Sequence, residues 1–395
     1  MGFSQALSGL DAAATNLDVI GNNIANSKTV GFRGGRTIFA DVFAGAQAGL
    51  GTKVAAVIQS STSGTLENTG RNLDIAISGD GFFRLSQAGE IVYSRNGQLN
   101  LDASGYIINA TGARLTGFPG GMTGGDPVPI FVPSGGLAAT ATTAVDATLN
   151  LDSNSTFIDR GTVPFDATDD ATYTYTNNVT IYDSQGNAHG ATMYFTKTAD
   201  NVWEVRMSRA GDVATAVGEL TFNENGVLVS QTGMASVQFD MSTVGGMADI
   251  DLALDFTGTT QFGNDFELTA ASQDGATSGS LVGIVIDERG NVVANYSNSQ
   301  SQVLSTLVIA NFRNPEGLEA IGDNAWAETT ASGPPLQVKP GTGLAGTVSS
   351  GVVENSNVDL TQELVNLIIA QRNYQANAQT IKVQDEVLQT AVNLR

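Results

Sequence analysis

His189 is the only histidine among the 395 residues and there is no cysteine, so most catalytic chemistry lacks its working parts. A Ser-His-Asp or Cys-His centre needs its base beside a nucleophile, and zinc sites need several His or Cys ligands. His189 stands three residues after the Asp183–Gly186 turn, where a lone imidazole reads as a surface residue. Neither G-x-S-x-G nor the phosphate-binding G-x-x-x-x-G-K-[ST] occurs. Gly341-Thr-Gly343-Leu-Ala-Gly346 does match G-x-G-x-x-G, whose glycines serve a dinucleotide only between a strand and a helix. Here Pro340 precedes and Val348, Ser349, Ser350 and Gly351 follow, which predicts loop or strand. The pair Asp169-Asp170 could serve a glycosidase or a calcium loop, but the glycine of the calcium spacing is missing and a solvated loop is expected. No catalytic residue, cofactor site or metal ligand is assigned, and no enzymatic activity is expected.

What the chain offers instead is periodicity at its two ends. Phe3, Leu7, Leu10, Ala14, Leu17, Gly21 and Ile24 are spaced by alternating fours and threes, a heptad seam. Leu360, Leu364, Leu367, Gln371, Tyr374, Ala378, Ile381, Asp385, Leu388, Val392 and Arg395 repeat that alternation. Two seams of one period invite pairing. Burial of the few large side chains in the first seam does not offset the entropy of ordering its helix. The terminal helices are therefore expected to be completed by other subunits rather than within one molecule. Polar Gln371 and Asp385 need partners that a packed assembly supplies, and Ala14 and Gly21 allow close backbone approach.

Charge separates the ends from the middle. The whole chain carries a formal net charge of -21, which argues against nucleic acid and anionic membrane surfaces, both of which require clustered Lys and Arg. Residues 145–284 hold 19 acidic against 4 basic residues, a net of -15, whereas 1–70 and 358–395 together hold 8 against 7, a net of -1. The acidic middle is expected to face water and the nearly neutral ends to pack. Polar outer surfaces with water between them also suit contacts that slide and re-form. No apolar run reaches the roughly 18 residues of a membrane span, and Asp11, Asn16 and Asp18 interrupt any secretory signal pattern.

Between the ends the pattern is strand-like. The first helix is expected to stop near Ala25, before Gly31, Gly34 and Gly35, and the last to start after the cap candidates Asn355 to Asp359. Ile38, Phe39 and Phe43 suggest a short apolar element and Val54 to Ile58 a short strand, in a connecting segment with little core. Leu73, Ile75 and Ile77 alternate before Gly79-Asp80-Gly81, which reads as a hairpin turn into Phe82, Phe83 and Leu85. A turn of Asp or Asn, two variable residues and Gly recurs at 102–105, 183–186, 223–226 and 287–290, predicting repeated antiparallel hairpins. Gly-rich stretches near 117–136 and 275–283 bracket acidic strands that read as a β-sandwich or barrel.

The expected fold class is α+β, mostly β, with paired coiled-coil-like terminal α-helices and two nested antiparallel β domains. The expected divisions are a helical assembly domain at 1–30 and 358–395, a connecting segment at 31–70 and 351–357, a discontinuous inner β domain at 71–144 and 281–350, and an outer acidic β domain at 145–280.

The run Ser8-Gly-Leu-Asp-Ala-Ala-Ala-Thr-Asn-Leu-Asp-Val-Ile-Gly-Asn-Asn-Ile-Ala-Asn26, continuing to Gly31-Phe32, is similar to a signature of flagellar rod and hook proteins. Glu354-Asn-Ser-Asn-Val-Asp-Leu360 and Ala370-Gln-Arg-Asn-Tyr-Gln-Ala-Asn377 resemble its C-terminal partner. Gly79-Asp-Gly-Phe-Phe83, Tyr93-Ser-Arg-Asn-Gly97 and Asn314-Pro-Glu-Gly-Leu318 fit as well, while 145–280 carries little of the resemblance. Within the family, Gly351-Val-Val-Glu354 has Val where a Leu is more usual. On these motifs the chain is identified as a member of the flagellar axial family, and it most resembles the hook proteins.

The resemblance implies a structural subunit that self-assembles into a curved, flexible tube joining rod to filament and transmitting motor torque as a universal joint. It implies unprocessed type III export to the extracellular hook of the flagellum, without a cleaved signal peptide. Implied partners are many copies of itself, distal rod, hook cap and hook–filament junction proteins, and the export apparatus. Nucleic acid, membrane insertion and cofactors are not implied. The family motif residues are Asn22, Asn23, Asn26, Gly31, Phe32, Asn357, Asp359, Gln371, Arg372, Tyr374 and Asn377. The alternatives are a distal rod protein, disfavoured by the large middle insertion, and a secreted β-rich adhesin or binding module, which has no need of paired heptad ends.

Overall fold

The computed structural model describes residues 2–42, 49, 51–120, 122, 124–209, 215–241 and 248–393, with side chains described at all of these except 2, 215–217 and 391–393. Helix-period spacing becomes helix at both ends: α1 is Gly2–Ala25 and α2 is Leu360–Asn393. Asn26 closes α1 by donating from its backbone N–H to the Asn22 carbonyl (3.0 Å) and from Nδ2 to Asn22 Oδ1 (2.7 Å). Asp359 opens α2, its Oδ1 accepting from the N–H groups of Thr361 (2.8 Å) and Gln362 (3.1 Å). A helix leaves its first four N–H groups without internal partners, and this carboxylate satisfies two of them.

The chain divides into two compact units: Met1–Ser134 with Gly283–Asn295 and Ser301–Arg395, and Gly135–Val282 with Tyr296–Gln300. In the first unit, β1 (Gly35–Asp41) and β2 (Thr52–Gln59) form a two-stranded antiparallel ribbon lying against α1. None of its side chains is fully buried. β3 (Leu66–Asn68) then pairs with Val352–Glu354, and β4 (Ile75–Ser78) pairs with Thr347–Ser350. Residues far apart in the chain are thereby zipped together at the approach to both helices.

The Gly79-Asp80-Gly81 turn is not the hairpin its composition suggested. β4 pairs only with Thr347–Ser350, while β5 (Phe82–Gln87) pairs with β6 (Glu90–Ser94) and, more briefly, with Arg114–Pro119 and Ile309–Asn311. Gly79 and Gly81 sit at φ 108° and 118°, and the turn carries the chain from one sheet to another. The true hairpin is one turn later, at Ala88-Gly89, where both φ values are positive, as a two-residue hairpin turn requires. The four Asp/Asn-x-x-Gly turns do join paired strands. In each, Gly has φ between 73° and 87° and its N–H donates to the first residue's carbonyl at 2.9–3.1 Å.

The second unit is a two-sheet β structure. One sheet is an antiparallel meander of Tyr175–Tyr182, Ala188–Ala199, Val202–Arg209, Thr215–Phe222 and Leu228–Thr232. The other departs from the antiparallel expectation. Ala144–Asp152 pairs parallel with Ile250–Asp255 and Thr260–Phe262 along one edge and antiparallel with Glu267–Gln273 along the other. The reason is chain direction: residues 250–262 run alongside 144–152 in one sense, broken only by a short turn, and reverse before 267. Val145, Ala147, Leu149 and Leu151 alternate inward and share a core with Phe195, Trp203 and Phe256. Trp203 is fully buried and donates from Nε1 to Gln261 Oε1 at 3.0 Å.

Candidate assembly site at the chain termini

His189 is not a free surface group. Its Nε2 lies 2.8 Å from Oδ2 of the buried Asp183. Burial alone would raise the Asp183 carboxyl, but hydrogen bonds from His189, Asn187 and Gln185 hold it well below the usual carboxylate range. The imidazole therefore clamps a turn. Asp169 likewise serves its own loop, accepting from the Ala171 N–H at 3.0 Å to cap a short 3-10 turn. The Gly341–Gly346 loop is followed by strand Thr347–Ser350 rather than a helix, so it lacks the helix N-terminus a dinucleotide requires.

The residues that matter converge where the helices leave the first unit. Glu354, at the end of its strand, is 1% exposed and accepts from Arg33 Nη2 through Oε1 (3.0 Å) and from Arg95 Nη1 through Oε2 (3.0 Å). Oε1 also accepts the Gly64 N–H (2.8 Å), and the Glu354 carbonyl accepts the Gly31 N–H (2.7 Å). Arg95 donates from Nη2 to the Gly79 carbonyl (2.7 Å). Burial lowers both guanidinium groups, Arg33 to about 10, with the neighbouring Arg95 adding to the effect and Glu354 opposing it. Gly31 sits at φ 73°, and any Cβ there would lie 2.6 Å from the Asn96 nitrogen, so the chain leaving α1 lies directly on the Arg95-Asn96 backbone. Three separate motifs thus meet at one carboxylate.

Amides extend this junction to the helices. Asn23 forms a two-way clamp on Gly35, donating from Nδ2 to its carbonyl and accepting its N–H, each at 2.8 Å, and Nδ2 also reaches Glu363 Oε2 at 3.3 Å. Asn357 accepts the Gly34 N–H (2.8 Å) and donates to the Thr62 carbonyl (2.9 Å). The first residues of α2 are thereby tied to the exit of α1.

The helices do lie together, but their fully buried positions fall outside the predicted seams. On α1 the buried positions are Ala6, Ala12, Ala13, Ile20 and Asn23, one step around from the predicted stripe. An added Cβ at Gly9 would lie 2.9 Å from Asn377 Nδ2. Among the described side chains of α2, Ala370 is the buried one. A stripe of Gly and Ala lets two backbones approach more closely than a stripe of Leu, which is the physical reason the small face wins. Of the predicted seam, Phe3, Leu7 and Gly21 are exposed and Leu10, Ala14, Leu17 and Ile24 half-buried. On α2, Leu360, Leu364, Gln371, Asp385 and Leu388 are exposed, and Leu367, Tyr374, Ala378 and Ile381 half-buried. Val392 has its side chain outside the described residues, and Arg395 and Phe43 lie outside them altogether.

The remaining motif residues divide in the same way. Asn22 accepts from Asn26, Phe32 is half-buried with its carbonyl accepting from the Asn357 N–H (3.4 Å), and Arg372 is exposed. Arg33 and Arg95 carry no periodic signal, and nothing in one sequence shows that they would share a carboxylate. The small stripe of α1 has helical spacing too, but its residues carry less apolar surface than those of the Leu seam.

Four family models match the chain in succession: Flagella basal body rod protein over 4–33, Flagellar hook protein FlgE/F/G D1 domain over 76–157, Flagellar basal body protein FlaE D2 domain over 150–276, and Flagellar basal body rod FlgEFG protein C-terminal over 349–394. Flagellar hook protein FlgE of Salmonella typhimurium is 49% identical over 408 residues, covering 100% of both chains, and that of Escherichia coli is 47% identical over 406 residues, again covering 100% of both. The Borreliella burgdorferi protein of the same name is 32% identical over 440 residues, covering 98% of each. The crystal structure of Helicobacter pylori flagellar hook protein FlgE2 shares the fold, with a TM-score of 0.56 at 15% identity over 73% of this chain and 100% of that one. The chain belongs to the flagellar hook protein FlgE family.

Proposed function

We propose that this chain is the structural subunit of a bacterial flagellar hook, polymerising into a curved, flexible tube that joins rod to filament and transmits torque as a universal joint. The observation that carries the reading is the pair of terminal helices. They are held together by a small-residue face and leave Leu7, Leu364, Val365, Ile368 and Ile369 each 45–52% exposed. Apolar stripes of that size on a soluble protein call for a partner surface, and in a homopolymer the partner is the next copy. The seam residues are accordingly read as intersubunit contacts.

In this reading the subunit has no catalytic role. It is exported unprocessed by the flagellar type III apparatus to the extracellular hook and meets distal rod, hook cap and hook–filament junction proteins. Its acidic second unit supplies polar outer contacts that exchange as the tube turns.

Electron microscopy of the purified chain after salt-induced polymerisation tests the proposal: tubes are expected from the native sequence. Leu364→Asp is expected to yield folded monomers only, and normal tubes from that variant would refute the role given to the seam.

A further inference from the structure

The two helices carry opposite charge. The charged residues of α1 are Asp11 and Asp18, whereas between Leu364 and Gln384 those of α2 are Arg372 and Lys382. All four are exposed, and among the described residues none of them enters an ion pair. Distance along the helices does not keep them apart. Asn23 reaches Glu363 and Gly9 stands against Asn377, so the helices run antiparallel and Asp11, Asp18 and Arg372 share one stretch of the pair. Direction separates them: α1 turns Ala6, Ala13 and Ile20 inward, α2 turns Ala370 inward, and the charges lie on the outer faces.

Each charged face also carries apolar surface. Phe3 and Leu7 stand eight and four residues before Asp11, and Asp18 stands seven after it, which sets all four on one side of α1. On α2, Val365, Ile368 and Ile369 stand seven, four and three residues before Arg372, again on one side. These five apolar side chains are each 48–52% exposed.

Two surfaces that are both apolar and opposite in charge are complementary. A contact between copies through α1 alone would set Asp against Asp, and one through this part of α2 alone would set cation against cation, which disfavours both. We infer that the acidic outer face of α1 docks on the basic outer face of α2 in a second copy of this chain. The joined surfaces differ, so the contact is heterologous: a copy that offers its α1 leaves its own α2 open, and such contacts continue into a ring or a helical array. This inference rests on the assembly reading above and names the surfaces that the assembly joins.

Charge reversal tests it. Asp11→Lys with Asp18→Lys makes α1 basic, Arg372→Glu with Lys382→Glu makes this part of α2 acidic, and the fourfold variant exchanges the two signs. The polymerisation threshold is read in the lowest salt that supports native tubes, where screening is weakest. Each twofold variant is expected to raise that threshold at least about tenfold, and the fourfold variant to return to within about threefold of the native value. Because all four side chains are exposed, monomer melting is expected to stay native throughout. A twofold variant that polymerises at the native threshold overturns the inference, and so does a fourfold variant no better than the twofold ones. Added salt should bring the twofold variants closer to the native threshold, and a ratio that salt leaves unchanged overturns it as well. Failure of the native chain to form tubes would instead defeat the assembly reading.

Discussion

Arg95 and Glu354 lie 259 positions apart in the chain and meet in a 3.0 Å ion pair with side chains 3% and 1% exposed. Arg33 shares the same carboxylate at 3.0 Å. The strand entering α2 and the segment leaving α1 are thereby fixed to one body. A buried ion pair is weak evidence of net stability, but removing one partner leaves an uncompensated charge.

Glu354→Ala is therefore expected to destabilise the first unit by about 3–5 kcal/mol, read as a shift of its urea midpoint. Glu354→Gln keeps an acceptor for the Gly64 N–H and should fall between. A loss within the roughly 1 kcal/mol of an exposed pair would mean that the cluster is not buried in solution.

The two glycines of α1 separate protomer contact from assembly contact. No heavy atom lies within 4 Å of a Cβ added at Gly21, so Gly21→Ala should strengthen the helix by up to about 1 kcal/mol, seen as raised helical ellipticity. If the Gly21 side meets another subunit, tube formation falls in the same variant. Gly9→Ile instead meets Asn377 and should push the helices apart, lowering both signals.

Distal α2 has little support within one protomer. From Gln379 to Thr390 only Ile381 and Gln384 are even half-buried. Isolated helix is marginal without tertiary cover, so helical ellipticity per residue should rise on polymerisation. An unchanged spectrum would contradict the completion of these helices by neighbours.

Asp183 gives the second unit an acid-sensitive element. Its folded value lies below the free-carboxylate value of 3.8, so the folded state binds fewer protons than the unfolded one. Its stabilisation is complete above about pH 4 and is lost as pH falls through the lower folded value. Asp183→Asn should reduce stability at pH 7 and flatten that part of the acid-unfolding curve of the second unit. An identical curve would show that the His189 clamp contributes nothing.

Gln261→Leu removes two hydrogen bonds, the one Gln261 accepts from Trp203 Nε1 and the one its Nε2 donates to Asn201 Oδ1 (3.1 Å). It leaves the Nε1 of the fully buried Trp203 unpartnered, which costs about 1–3 kcal/mol. The expected result is a lowered melting temperature in the second unit with no change in tube formation.

The primary sequence by itself determined much of this protein. Asn and Asp preceding a glycine at a fixed offset specify turn geometry through local sterics and local hydrogen bonds, so the hairpins at 183–186 and 223–226 were readable. The heptad spacing specified two helices, and the Asn355–Asp359 run contained the Asp359 cap. All of these are interactions over four residues or fewer. Only the tertiary structure decided which strand β4 would join, that 144–152 would pair parallel with 250–262, and that Glu354 would collect Arg33 and Arg95. It also decided which side of α1 faces α2: Gly9 stands against Asn377, and Phe3 and Leu7 of the Leu stripe are left exposed. Those choices depend on which distant segment fills a given space. Such partners are hundreds of positions away, and no local preference encodes them.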